Sequence, residues 1–157
     1  MFGSQSDQHE RIDFDQLVED TVSLVLPNAK SKQIDLHTDL EAKSAITGDH
    51  TQLQQVILNL LNNAVEALSE VVVDKKIITV NTRNINNNIV LTVSDNGIGI
   101  PEELRPSIFE LFKTTKAYGM GVGLWLSKAV VSAHHGEIKF SSSPASGTCF
   151  EVNLPSN

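Results

Sequence analysis

The chain has one cysteine, Cys149, among its 157 residues, so no disulfide can form within it. A lone thiol suits a reducing compartment, and a cytoplasmic setting is the expectation. No apolar run approaches the roughly 18 residues that a membrane-spanning helix needs. The opening, "MFGSQSDQHER", is polar throughout and lacks the apolar core of a signal peptide. A longer, membrane-anchored parent protein stays compatible with these absences. Basic residues are in deficit: 12 Lys and Arg stand against 19 Asp and Glu, a formal charge of −7. Such a surface argues against nucleic acid as a partner, because that binding rests on neutralising phosphates. Any phosphate held here must be met by locally placed lysines, amide N–H groups or a metal ion. Two familiar phosphate patterns are missing. The chain has no G-x-x-x-x-G-K-[ST], and Leu124 stands where the last glycine of G-x-G-x-x-G would be. There is no internal repeat.

What is present is an ordinary composition for one globular domain, with 40% hydrophobic and 20% charged residues. Residues 1–10 read as a tag or linker remnant and 11–157 as the domain. "DFDQLVEDTVSLVLPNAKSK" carries Leu17, Val18, Val22, Leu24 and Val25 at helical spacing. A helix should begin near Asp13 and be disturbed by Pro27. "QIDLHTDL" and "SAITGD" are strand-like, the second ending in a turn at Gly48-Asp49. "DHTQLQQVILNLLNNAVEALSE" is the strongest helix, with Asp49 or Thr51 as its cap and a broad apolar face. "KIITVNTRNINNNIVLTVSD" reads as a hairpin turning at Asn86-Asn87-Asn88. From Asn96 to Gly121 the chain is rich in Gly and Pro, with only short helical pieces. "VGLWLSKAVVSAHHG" should be a helix with Val122, Leu126, Ala129, Val130 and Ala133 on one side and Gly136 as its C′ stop. "EIKFSSS" and "GTCFEVNLP" close the chain as strands. The fold class that follows is a two-layer α/β (α+β) sandwich. Its mixed, mostly antiparallel sheet of about five strands should be covered on one face by three helices.

Three stretches carry chemistry. In the strongest helix, Asn59 and Asn63 are four residues apart and project side by side. They form either the wet side of an amphipathic helix or a ledge of amide carbonyls. Such neutral, hard oxygens suit Mg²⁺ when phosphates supply the negative charge. In "SDNGIGIP", Asp95 ends a strand, and Gly97 and Gly99 let backbone approach a flat ligand. This is either a plain D-N-G turn or a carboxylate placed to accept a hydrogen bond from an exocyclic amine such as that of adenine. In "TTKAYGMGVGLWL", Gly119, Gly121 and Gly123 bare their amides at a helix start, with Lys113 and Lys116 near. Here the choice is between a hinge and a phosphate cradle.

Taken in order, "NLLNNAVEA", "DNGIGIP", "IFELFKTTK", "GMGVGL" and "GTCFEV" resemble the set of boxes in the catalytic, ATP-binding domain of sensor histidine kinases. That family belongs to the ATPase superfamily shared with DNA gyrase, MutL and the large heat-shock chaperones. The resemblance runs from about Ile12 to Pro155. It implies that Asn63 binds the Mg²⁺ that bridges the phosphates of ATP and that Asn59 helps position them. It gives Asp95 the adenine amine, with Gly97, Gly99 and Ile100 shaping that pocket and Thr148 supporting it. Phe109 and Phe112 match the aromatic box at the base of a lid spanning residues 101–120. Thr115, Lys116 and the amides of Gly119, Gly121 and Gly123 would meet the phosphates, and Leu124 would close over the nucleotide. Hydrolytic members of the superfamily carry a glutamate where this chain has Asn59, so transfer rather than rapid hydrolysis is implied. No residue of this chain would then act as acid or base. Glu66 reads as ordinary helix surface. The acceptor would be a histidine on a separate dimerisation hairpin, and a response regulator would act downstream. The parent would be a homodimer and the isolated domain a monomer. "HERIDF" at His9 begins like an acceptor motif but has Arg11 at the apolar place and no proline. His134 and His135 read as structural residues at a helix end. A serine kinase of the anti-sigma-factor type, or a nucleotide-binding module without transfer, are the alternatives.

Overall fold

The structure is a computed structural model that describes residues 9–69, 71–110, 121–143 and 146–157. Its strands are β1 (His9–Asp13), β2 (Ile34–Leu40), β3 (Ala45–Asp49), β4 (Lys76–Ile85), β5 (Asn88–Asp95), β6 (Glu137–Ser143) and β7 (Gly147–Pro155). Its α-helices are α1 (Phe14–Ser31), α2 (His50–Ser69) and α3 (Gly121–Ala133). None of the described helices is long and apolar enough to cross a membrane.

Helix α1 starts where its sequence provides a cap: the Asp13 carboxylate accepts from the Gln16 N–H at 3.2 Å. Phe14, Leu17, Val18, Val22, Val25 and Ala29 form its buried stripe. The expected disturbance at Pro27 is corrected, because the helix runs through it to Ser31. Pro27 and Ser23, whose carbonyl loses its partner, both lie on the exposed side. That carbonyl can therefore turn to water, while burial of Val25 and Ala29 offsets the roughly 3 kcal/mol that proline costs. Asp49, not Thr51, caps α2, accepting from the Gln52 N–H at 3.0 Å.

The main sheet has five strands in the order β2-β4-β5-β7-β6, with β2 parallel to β4 and every other pair antiparallel. Asn86 and Asn87 turn the β4–β5 hairpin, both in the left-handed region at φ 51° and 67°. Alternation sends Ile78 and Val80, Ile89, Leu91 and Val93, Ile138, and Phe150, Val152 and Leu154 into one core with the helices. The two-layer reading of the sequence holds.

Three expectations need correction. First, β3 does not join this sheet; it pairs with β1 in a separate two-stranded ribbon, Ile12 opposite Ile46. His9 and Glu10 belong to that ribbon, which propensity alone did not reveal in a polar stretch. Second, α3 buries Leu124, Ser127 and Val131, while Leu126, Ala129 and Ala133 are exposed. An almost wholly apolar helix does not announce its inner side. Third, the left-handed residue that ends α3 is His135, at φ 64°, not Gly136. The Gly136 and His135 N–H groups close the turn onto the Val131 and Ser132 carbonyls. Gly136 is small because a Cβ there would run into the Asn153 carbonyl.

Candidate functional site

Helix α2 is the wall that the site residues share. Asn59 and Asn63 stand on it one turn apart, both half-buried. The Asn59 amide donates to the Gly123 carbonyl at 3.3 Å and to the Ser127 hydroxyl at 3.4 Å, which ties α2 to the start of α3. Its own carbonyl accepts from Gln55 Nε2 at 2.9 Å. The buried amide nitrogen of Asn63 has no hydrogen-bond partner among the described residues. An orphan of this kind costs on the order of 1–3 kcal/mol, and a side chain awaiting a ligand is one reason a fold keeps it.

Asp95 arrives at α2 from the end of β5. The turn after it folds so closely that a Cβ on Gly97 would lie 2.9 Å from the Ala67 carbonyl oxygen of α2. Gly97 N–H donates to Asp95 Oδ1 at 2.8 Å. The Asp95 side chain is 8% exposed. Burial pushes its carboxyl up from 3.8 to about 6, against the N–H groups of Gly97 and Thr148, which favour the ionised form. A carboxylate offers about four acceptor positions. Two N–H bonds leave room for a donor from a ligand.

Register explains the neighbours of Asp95. Thr148 of β7 is its direct partner, and Ser142 of β6 is the partner of Thr148. Asp95, Thr148 and Ser142 form one polar row at the end of a face that is apolar in the row behind, Val93, Phe150 and Phe140. Gly147 begins β7 at φ 85° because the Asp95 and Asn96 backbone lies against it. Asn96 fixes the turn from the other side. It accepts from the Ile77 N–H at 2.8 Å and donates to the Lys75 carbonyl at 2.7 Å. Sequence reasoning passed over Asn96, Ser142 and Gly147. The "DNG" triplet and the glycine before Thr148 were visible, but the staple and the row depend on register.

Phe109, expected at the base of the lid, packs on the sheet. Its ring meets Phe140 at 6.0 Å and Phe150 at 6.4 Å, with the Lys128 ammonium 5.5 Å above it. Leu124 is fully buried in the core, and Ile100 is 4% exposed. Gly123 faces Asn59, where a Cβ would make ordinary contact at 3.6 Å. Glu66 is exposed on α2, as expected of helix surface. His134 is structural. Its Nε2 accepts from the Asp49 N–H at 3.0 Å, and its Nδ1 lies 2.8 Å from the Val130 carbonyl, which fixes the neutral tautomer protonated at Nδ1. Phe112, Lys113, Thr115, Lys116 and Gly119 lie outside the described residues, as does the second half of the expected lid, 111–120; Gly121 is the first residue of α3.

A helical wall of amides, a buried carboxylate at a strand end and a helix start facing that wall characterise this α/β sandwich. The sequence pattern described as "Histidine kinase-, DNA gyrase B-, and HSP90-like ATPase" matches residues 48–157, and the chain belongs to this family. It is 36% identical over 151 residues to the signal transduction histidine-protein kinase AtoS of Escherichia coli, which spans 96% of this chain and 24% of AtoS. It is 31% identical over 156 residues to the sensor protein FixL of Bradyrhizobium diazoefficiens, 98% of this chain and 31% of FixL. The chain thus spans under a third of these relatives. Among solved structures, the catalytic domain of the histidine kinase ThkA superposes with a TM-score of 0.81 at 25% identity, covering 94% of this chain and 95% of that domain.

Proposed function

We propose that this chain is the ATP-binding catalytic domain of a sensor histidine kinase. In this reading it holds Mg-ATP and passes the γ-phosphoryl group to a histidine on a separate hairpin. Asp95 accepts from the adenine amine, and its burial keeps that bond away from competing water. Asn63 would hold Mg²⁺. The fit rests on its side-chain carbonyl oxygen, a neutral hard donor, while its unpartnered buried NH₂ is a hydrogen-bond donor that would meet a phosphate oxygen and not the ion. Among the described residues no cluster of three or more His, Cys, Asp or Glu could cage a metal. A neutral amide is the donor expected where phosphates bring most of the charge. When bound, the ion would neutralise charge on the phosphates.

The observation that favours transfer over hydrolysis is the company Asn59 keeps. Its partners are an amide, a peptide carbonyl and a hydroxyl. None of these takes a proton from water at neutral pH. Asn59 can orient a phosphate but cannot generate hydroxide. Phosphoryl transfer asks mainly for positioning and charge neutralisation, which amides and the start of α3 supply. Lys116 and the glycine amides complete the phosphate side in this reading.

The reading extends to a cytoplasmic, homodimeric parent and to a response regulator downstream. ThkA, of the same fold, has been seen in complex with a response regulator, TrrA. Incubation with labelled ATP and Mg²⁺, with and without the parent's hairpin, tests it. Acid-labile phosphate on the hairpin is the expected result. Acid-stable phosphate on a protein serine would favour an anti-sigma-factor type of kinase, and binding without transfer a nucleotide-binding module.

A further inference from the structure

The turn that follows Asp95 returns to the sheet at Ile100, and the peptide there is held from both sides. Ile100 N–H donates to Ser142 Oγ at 2.7 Å. The Ile100 carbonyl accepts from Arg105 Nε at 3.0 Å. Ser142 Oγ also lies 3.0 Å from Thr148 Oγ1. A hydroxyl can accept the amide proton and still share a proton with a second hydroxyl. Gly99 sits at φ 79°, where a Cβ would come within 2.9 Å of Ser142 Oγ. The turn is therefore seated against β6 as closely as backbone allows.

These contacts form one chain. Arg105 holds Ile100, Ile100 is bonded to Ser142, Ser142 to Thr148, and Thr148 is the register partner of Asp95. We propose that Ser142 is a positioning residue for purine recognition, and that Arg105 grips the other side of the same peptide. Together they set where the Gly97–Ile100 turn stands relative to the Asp95 carboxylate. In this role each acts through the Ile100 peptide and not through a contact of its own with the nucleotide. The inference rests on the reading of Asp95 as acceptor for the adenine amine and adds what keeps that acceptor selective. Adenine offers a donor at its exocyclic position, and guanine offers a carbonyl there. A carboxylate held in place accepts from the first and repels the second. One free to drift distinguishes them less, because discrimination of this kind depends on fixed partners.

The test is the pair of dissociation constants for ATP and GTP, measured on the chain by calorimetry beside its melting temperature. Ser142→Ala should lower the ATP-over-GTP preference about tenfold, mostly by weakening ATP. Ser142→Thr keeps the hydroxyl on a half-buried strand position and should restore the preference. Arg105→Gln should lower it about threefold. A purely structural serine would change melting temperature and leave the ratio alone. A wild-type ratio in Ser142→Ala, with the ratio lost in Asp95→Asn, overturns the positioning role alone. A wild-type ratio in both overturns the adenine reading and this inference with it. Should Ser142→Ala not fold, a wild-type ratio in Arg105→Gln overturns the proposal.

Discussion

The two ends of the site are built differently. At the sheet end, bonds of 2.7–3.0 Å tie Gly97 to Asp95, Ile100 to Ser142, Ser142 to Thr148 and Asn96 to Ile77, and the carboxylate is buried. At the helix end, Asn59 reaches α3 through contacts of 3.3 and 3.4 Å, and the Asn63 amide has no partner among the described residues. The first end is finished before a ligand arrives. The second leaves polar groups for a ligand to satisfy. A base is flat and invariant, so a rigid pocket recognises it at little entropic cost. Phosphates that must move during transfer need partners that can change.

The largest effect should come from breaking the finished end. Asp95→Asn should weaken ATP about 100-fold by calorimetry, since the charged acceptor is lost. The same change should make the protein more stable at pH 7. In the folded state the Asp95 carboxyl sits at about 6 against 3.8 when exposed to water. Between these values the folded state holds the extra proton, so stability falls as pH rises through that window. Above it the ionised group costs up to about 3 kcal/mol. Denaturant melts should therefore show wild type catching up with Asp95→Asn as pH drops from 7 towards 4. A difference between the two that does not change with pH would deny the strain at Asp95.

Next comes Asn63→Ala at the unfinished end. It should weaken ATP about tenfold in Mg²⁺ and far less in EDTA, with melting temperature unchanged or raised because an orphan amide is removed. Equal losses with and without Mg²⁺ would place Asn63 away from the metal. A smaller effect is expected from pH alone. With the carboxyl at about 6, ATP affinity should fall about fourfold between pH 7.5 and 5.5 as Asp95 takes up a proton. A flat profile would mean that the ionised form is not what binds. Asn59→Ala should do least to the unliganded chain: a melting temperature within about a degree of wild type and ATP affinity within threefold, reflecting its long contacts. Labelled-phosphate transfer should still fall about tenfold. A large drop in melting temperature would show that the helix end is as finished as the sheet end.

Much of this molecule was legible in order along the chain. The caps at Asp13 and Asp49, the stripes of α1 and α2, the Asn86-Asn87 turn and the alternation of β4, β5 and β7 are local facts, written in spacing and turn chemistry. So were the candidates Asn59, Asn63, Asp95 and Gly97, because a polar residue inside an apolar pattern is conspicuous. Three features were not local. The ribbon of β1 with β3 joins segments some 35 residues apart, and its polar strand has no strand signature. The inner side of α3 was chosen by the Leu124, Ser127 and Val131 contacts of a helix apolar nearly all round. The row of Asp95, Thr148 and Ser142 exists only because antiparallel pairing brings three strand ends level. Sequence alone determined which residues are able to bear chemistry, since residue type fixes charge, donors and acceptors. Tertiary structure alone decided which of them meet, how dry the Asp95 carboxylate is and what holds it still. Pairing register and burial are sums over distant contacts that no short stretch contains.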